Sequence, residues 1–140
     1  MRSRALRLLA RREHSRQELL RKLGPADPDA VARLLDDLQA RGWLSEQRVA
    51  DQLLRAANGR FGVRKVMQQL AQKGVSAEVV AQARDYDRKR ELDSAHAVWL
   101  KRFGKPPANL RERARQARFL EQRGFEPEVI QKVVGGEADE

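Results

Sequence analysis

One stretch of this chain occurs twice, and that repetition limits the possible folds more than any other feature. Leu70-Ala71-Gln72-Lys73-Gly74-Val75-Ser76-Ala77-Glu78-Val79-Val80 returns fifty positions later as Leu120-Glu121-Gln122-Arg123-Gly124-Phe125-Glu126-Pro127-Glu128-Val129-Ile130. Each copy reads as a helix end, a glycine stop and a new helix start. Gly74 and Gly124 fall where a left-handed residue ends a helix without a Cβ penalty. Ser76 and Glu126 then stand at the N-cap, and Pro127 fits the first helical position. Val75 with Val80, and Phe125 with Ile130, have the spacing of a hydrophobic staple. A fainter third copy lies upstream. Leu23-Gly24 ends one helix, Asp27-Pro28 starts the next, and Val31 and Leu34 take the places of Val80 and Ala83. Three units of nearly fifty residues therefore follow one another, and internal repetition governs the rest of the reading.

The helices can be placed in chain order. Residues 3–12 form a first helix with Ala5, Leu8 and Leu9 inward, followed by a capping box, Ser15-Arg16-Gln17-Glu18. The second helix runs to Leu23 with Leu19, Leu20 and Leu23 inward. The third runs from Pro28 to Gly42 on Val31, Leu34, Leu35 and Leu38. Ser45 caps the fourth, with Leu44 stapled to Val49. Gly62 opens the fifth, and the sixth runs from Ala77 to about Tyr86. A longer seventh, from Asp87 to Phe103, has the spacing Leu92, Ala95, Val98, Trp99 and Arg102. The eighth, Leu110 to Arg123, points Ala114, Ala117 and Leu120 inward, and the ninth is Pro127 to Val134. The units are 1–42, 43–86 and 87–135, with an acidic tail at 136–140. A trio this short buries little apolar area alone, so stacking must cover the remaining faces. The fold class expected is all-α: three tandem three-helix repeats stacked into an elongated, curved array.

Aromatic residues make up only 5% of the chain, which favours an aliphatic helical core. With no cysteine, disulfides and thiolate metal sites are excluded, and a reducing compartment is suited. No apolar run reaches membrane-spanning length, and the N-terminus lacks a signal-peptide pattern. The net charge of +9 is unevenly spread. Residues 1–23 carry eight basic and two acidic side chains, and residues 84–123 carry twelve and six. Two basic ends flank a near-neutral middle, which points to a polyanion or an acidic protein groove as partner.

No catalytic constellation is present. His14 sits in a capping position and His96 lies within a helix beside Trp99, neither with metal-ligand spacing. Asp36-Asp37 and Asp85-x-Asp87 do not converge on one helix face and read as solvated. No phosphate-loop or dinucleotide signature occurs, and Gly59-x-x-Gly62 reads as a turn. No cofactor or metal is expected. What remains is arginine at helical spacing: Arg4, Arg7 and Arg11 on the first helix, and Arg111, Arg115 and Arg118 on the eighth. The planar guanidinium fork suits phosphate and carboxylate, although such a stripe is also the ordinary polar half of an amphipathic helix. The trios look like helix-turn-helix modules, but no helix carries the Asn, Gln and Arg cluster that reads base edges.

Several motifs in order resemble one bacterial family. Ala5-Leu6-x-Leu8-Leu9-Ala10-Arg11-Arg12-Glu13-His14-Ser15-Arg16-x-Glu18-Leu19-x-x-Lys22-Leu23 is similar to the opening signature of the RecX family. Gly42-Trp43-Leu44-Ser45, Val49-Ala50 and Gly62-x-x-Lys65-Val66 through Lys73-Gly74-Val75 continue it, and Phe119-Leu120-x-x-Arg123-Gly124-Phe125 matches its end. The resemblance covers nearly the whole chain. It implies a non-enzymatic, cytoplasmic regulator, built from tandem three-helix repeats, that lies in the groove of a RecA–single-stranded DNA filament; a monomer is expected. Such proteins limit RecA ATPase, strand exchange and coprotease activity, and many also bind single- or double-stranded DNA. The basic positions that would fit such a groove are Arg4, Arg7, Arg11, Arg16, Arg64, Lys65, Lys101, Arg102, Arg111, Arg115 and Arg118. The charged N-terminal extension of some relatives is absent from this sequence, and the Arg60-Phe61-Gly62 turn and the Gly24–Pro28 loop also differ from many of them. The rival readings are a sequence-nonspecific DNA-binding helical module and a helical adaptor for an acidic protein.

Overall fold

A computed structural model describes residues 1–85 and 88–135. Among the described residues there are nine α-helices and no strand. They are α1 (Arg2–Arg11), α2 (Arg16–Leu23), α3 (Pro28–Ala40), α4 (Glu46–Ala57), α5 (Val63–Gln72), α6 (Ala77–Asp85), α7 (Arg88–Arg102), α8 (Leu110–Gln122) and α9 (Pro127–Val134). The expected helix ends at Tyr86 and Asp87, the Asp85-x-Asp87 pair and the acidic tail at 136–140 lie wholly or partly outside the described residues.

Local chemistry accounts for the boundaries. Ser15 forms the capping box: its Oγ accepts the Glu18 amide at 3.1 Å, and the Glu18 carboxylate accepts the Ser15 amide at 2.9 Å. Asn109 starts α8 in a related way: its Oδ1 accepts the Glu112 amide at 2.9 Å, while the Glu112 carboxylate reaches one residue further back and accepts the Ala108 amide at 2.9 Å. Ser45 accepts the Arg48 amide to start α4, and Ser76 accepts that of Val79. Glu126 precedes α9 without a side-chain cap, and Pro127 supplies the first helical position. The two copies of the glycine stop share one backbone path. Gly74 and Gly124 have φ of 73° and 91°. The amides of Val75 and Phe125 return to the carbonyls of Leu70 and Leu120, five residues back, as a Schellman ending requires.

Three separate apolar cores result, one per trio. The first gathers Ala5, Leu19, Val31, Leu34, Leu35, Leu38 and Leu44. The second is built on Val49, Ala50, Ala57, Val66, Leu70, Val75 and Ala83, and the third on Ala95, Val98, Trp99, Leu120, Phe125, Ile130, Val133 and Val134. The chain exposes 9238 Å². A globular monomer of 16.0 kDa would expose about 7,400 Å². The excess is what an elongated array shows.

Four packing expectations and one of charge are corrected. Leu44 belongs to the first core and Val49 to the second, so they form no staple. The amides of Trp43 and Leu44 both return to the Leu38 carbonyl, which folds this turn back onto α3. On α8 Ala117 and Leu120 point inward as expected, but Gln116 is buried with them and Ala114 is exposed. The cause is Trp99, whose buried indole N–H donates to Gln116 Oε1 at 2.8 Å. Leu20, read as inward, is exposed, and Arg102 lies on the solvent side of α7. Asp36 and Asp37 are not simply solvated: Asp36 pairs with Arg16 at 2.9 Å, and Asp37 with Arg2 and Arg41 at 2.8 and 3.0 Å. The Arg2 guanidinium, more than the modest desolvation opposing it, and then Arg41 hold the Asp37 carboxyl below its ordinary range.

Candidate functional site

The trios are joined by backbone and polar contacts rather than by a shared core, and the same contact is made twice. At the first joint the start of α2 meets the Lys73–Gly74 turn. Ser15 Oγ donates to the Lys73 carbonyl at 2.5 Å, and the Lys73 ammonium bonds Glu18 at 3.1 Å. At the second joint the start of α5 meets the Arg123–Gly124 turn. The Gly62 amide donates to the Arg123 carbonyl at 2.8 Å and the Arg64 amide to that of Gly124 at 3.0 Å. Ser15 and Gly62 are equivalent in the repeat, as are Lys73 and Arg123. The repetition in sequence is therefore a repetition of joints.

Carboxylates brace both joints. Glu46 accepts the amides of Arg16 and Ser76. Glu91 on α7 accepts the Val63 amide through both oxygens, at 3.1 and 3.2 Å. Burial raises the Glu91 carboxyl above its ordinary range and the nearby Glu126 raises it further, against the opposing bond from Val63. Glu18 behaves oppositely. Its partial burial would raise the carboxyl, but the Ser15 amide, Lys73 and Arg12 together hold it at about 2. His14 is buried, with Nδ1 2.9 Å from the Arg12 carbonyl and Nε2 3.2 Å from Lys22 Nζ. Burial lowers its pKa, and the neighbouring Arg12 and Lys22 charges act in the same direction. A neutral ring protonated on Nδ1 satisfies both contacts, because the ammonium can only donate.

The second joint carries a series of cations and aromatic rings in alternation. The Lys65 ammonium lies 4.9 Å from the Phe61 ring centroid, and the Arg123 guanidinium lies 5.6 Å from the same ring. Arg123 also lies 5.0 Å from Phe119, and Arg102 lies 5.3 Å from Phe119 and 6.0 Å from Phe103. Arg115 closes the series 5.8 Å from Phe103. Phe103 and Phe119 meet edge to face, with centroids 5.5 Å apart. A hollow of about 400 Å³ opens beside them, bordered by Arg102, Arg115 and Arg118. Among the described residues none of these three arginines has a carboxylate within ion-pairing distance. Guanidiniums held against rings with their N–H edges open form a surface for anions.

Two models of known three-helix domains match the chain. RecX, second three-helix domain, covers residues 45–83, and RecX, third three-helix domain, covers residues 89–134. This chain belongs to the RecX family. The regulatory protein RecX of Leptothrix cholodnii is 48% identical, over 96% of this chain and 87% of the relative. That of Chromobacterium violaceum is 42% identical, over 100% and 92%. The crystal structure of RecX from Lactobacillus salivarius superposes with a TM-score of 0.82 at 18% identity, covering 99% of this chain and 94% of that one. The latter shows the shared fold.

Against this RecX fold the eleven basic positions divide into groups. Arg4, Arg7 and Arg11 lie exposed along α1, and Lys101 and Arg111 are exposed on the third unit. None of these has an acidic partner among the described residues. Arg16 is held inside the first unit by Asp36, Gln39 and the Ala32 carbonyl. Arg64 is paired with Glu126 across the second joint at 3.1 Å. Lys65, Arg102, Arg115 and Arg118 gather around the aromatic series. Sequence reading missed Phe61, Phe103, Phe119 and Arg123. The spacing of Arg115, Phe119 and Arg123 at i, i+4 and i+8 on one helix was a signal for part of it. Nothing local linked Phe61 or Phe103 to it. Among the described residues no group of three or more His, Cys, Asp or Glu side chains gathers as a metal site. No described helix is long and apolar enough to cross a membrane.

Proposed function

We propose that this RecX-family chain is a non-enzymatic, monomeric, cytoplasmic regulator that binds the RecA–single-stranded DNA filament along its groove. Binding there inhibits RecA ATPase, strand exchange and coprotease activity. The observation that carries this reading is the placement of unpaired cations at both ends of an elongated array, on α1 and on the third unit. An array of three units reaches further than a sphere of equal mass, and so spans neighbouring subunits of a helical filament. The carboxylates near its joints are occupied by internal amides and cations, which leaves these positive surfaces without internal acidic partners. The domain limits 1–42, 43–86 and 87–135 belong to the same reading, with Leu44 carried by the first core, and each trio is one contact module. The experiment is RecA ATPase on single-stranded DNA with and without this protein. Inhibition at a stoichiometric ratio is expected, and an unchanged rate at stoichiometric excess sinks the reading.

A second reading is favoured by the alternation of cations and rings at the second joint: a module that binds bare nucleic acid without sequence preference. It predicts affinity that falls steeply as salt rises, because bound phosphates release counterions.

A further inference from the structure

We propose that the cation–ring series across the second joint is a binding track for one strand of single-stranded DNA, with Arg102, Arg115 and Arg118 receiving consecutive phosphates. The inference rests on the second reading above and assigns it a place and a ligand.

Three features separate this surface from a merely solvated basic face. Two of the three arginines are preorganised: Arg102 is shared between Phe119 and Phe103, and Arg115 also lies against Phe103. A guanidinium already resting beside a ring loses less rotamer freedom when it takes a phosphate. The rings themselves are only half-buried, so apolar edges are available beside the cations. A positively charged groove that alternates with aromatic side chains is what sequence-tolerant single-strand binding needs, since every base has a π-face. Last, the hollow between α7 and α8 is open and carries no acidic lining residue. The larger cleft of about 610 Å³ on the same joint differs in this respect: it mixes Arg64, Arg84, Arg90 and Lys132 with Glu91, Glu126 and Glu128, and Arg64 and Arg84 are already paired with Glu126.

The track also crosses between trios. Phe61 and Lys65 come from the second unit, whereas Phe119, Arg123, Arg102 and Phe103 come from the third. A strand lying on it touches both units at once, and the length it covers depends on the joint being formed.

The test is fluorescence anisotropy of a labelled oligothymidylate strand, titrated with the full chain at several salt concentrations. The combined variant Arg102→Gln, Arg115→Gln, Arg118→Gln is expected to bind at least tenfold more weakly. Its log–log salt slope should fall by about 2, at roughly 0.7 for each phosphate that is no longer neutralised. Phe103→Leu keeps every charge and is expected to bind about threefold more weakly, because Arg115 then has no ring to lie against and Arg102 keeps only Phe119. Because Phe103 also borders the third core, its thermal midpoint is recorded beside its affinity. Arg21→Gln, Arg33→Gln, Arg55→Gln removes equal charge from exposed positions outside the proposed binding surfaces and is expected to stay within about twofold of the parent. Equal weakening in the two triple variants would overturn the track in favour of diffuse charge. So would a Phe103→Leu protein that is folded and binds like the parent. An unlabelled duplex that competes as well as the single strand would overturn the single-strand assignment. A parent protein with no salt-dependent binding would remove the underlying reading itself, whereas parent binding insensitive to the track variants removes only the track.

Discussion

Gly62 and Gly124 meet with no side chain between them. A Cβ on Gly62 would fall on the carbonyl of Gly124, and one on Gly124 would lie 2.8 Å from the Lys65 amide. Gly62 has φ of −89°, so its conformation suits any residue. What excludes a side chain there is the neighbouring backbone.

Gly62→Ala should therefore part the second and third trios while sparing each core. A destabilisation of about 2 kcal/mol is expected, in the range of overpacking, together with a larger radius of gyration by small-angle scattering. Gly24→Ala is the contrasting variant. Its Cβ would meet nothing within 4 Å, but its φ of +74° strains any L side chain. It should cost about 1 kcal/mol and leave the radius of gyration unchanged.

Acid should loosen the first joint in two stages. The His14 pKa is lowered from 6.5, so the unfolded chain binds its proton first, and stability begins to fall as pH drops below about 6.5. Glu18 is lowered from 4.5 to about 2, so its contribution is complete above pH 4.5 and disappears as pH falls toward 2. Glu18→Gln should cost about 2 kcal/mol at pH 7 and flatten the second stage. Thermal midpoints at pH 7, 5.5 and 3.5 for parent and variant check both.

The Trp99–Gln116 bond predicts a strongly non-additive pair. Gln116→Leu strands a buried indole N–H and should cost 1–3 kcal/mol or so. Trp99→Phe combined with Gln116→Leu removes both polar groups, and the pair should recover part of that cost. A double-mutant cycle by denaturant unfolding measures the coupling.

Arg16 and Arg4 are expected to separate structure from binding. Arg16→Ala removes the bonds to Asp36, Gln39 and the Ala32 carbonyl. It should lower stability by about 1 kcal/mol or less. Arg4→Ala, on an exposed face without an ion pair, should leave the melting temperature unchanged and weaken inhibition in the RecA ATPase assay.

Legibility followed the range of the interaction. Ser15 with Glu18, the Gly74 and Gly124 stops and the Pro28 and Pro127 starts were all readable, because a cap or a Schellman ending involves residues within about five positions. The inward face of α8 was readable only in part, at Ala117 and Leu120. Alanine spacing pointed to Ala114, but a tryptophan seventeen residues upstream needed an acceptor, and Gln116 took the buried place. Leu44 was assigned forward to Val49 by the staple rule, whereas two amides returning to Leu38 folded it backward.

The basic positions divide along the same line. Residue type and helical spacing marked Arg4, Arg7 and Arg11, and Arg111, Arg115 and Arg118, as two charged sets, since each set lies on one helix. That Arg16 and Arg64 are held by carboxylates, and that Phe61 comes to lie against Arg123 some sixty positions away, required the tertiary fold.

Residue order alone therefore determined the trio, its caps, its glycine endings and its threefold recurrence, because backbone hydrogen bonding and side-chain periodicity act over a few residues. How one trio meets the next was decided only in three dimensions. There, a bare glycine backbone, a shared carbonyl and a row of rings bring together groups whose separation along the chain carries no local signal.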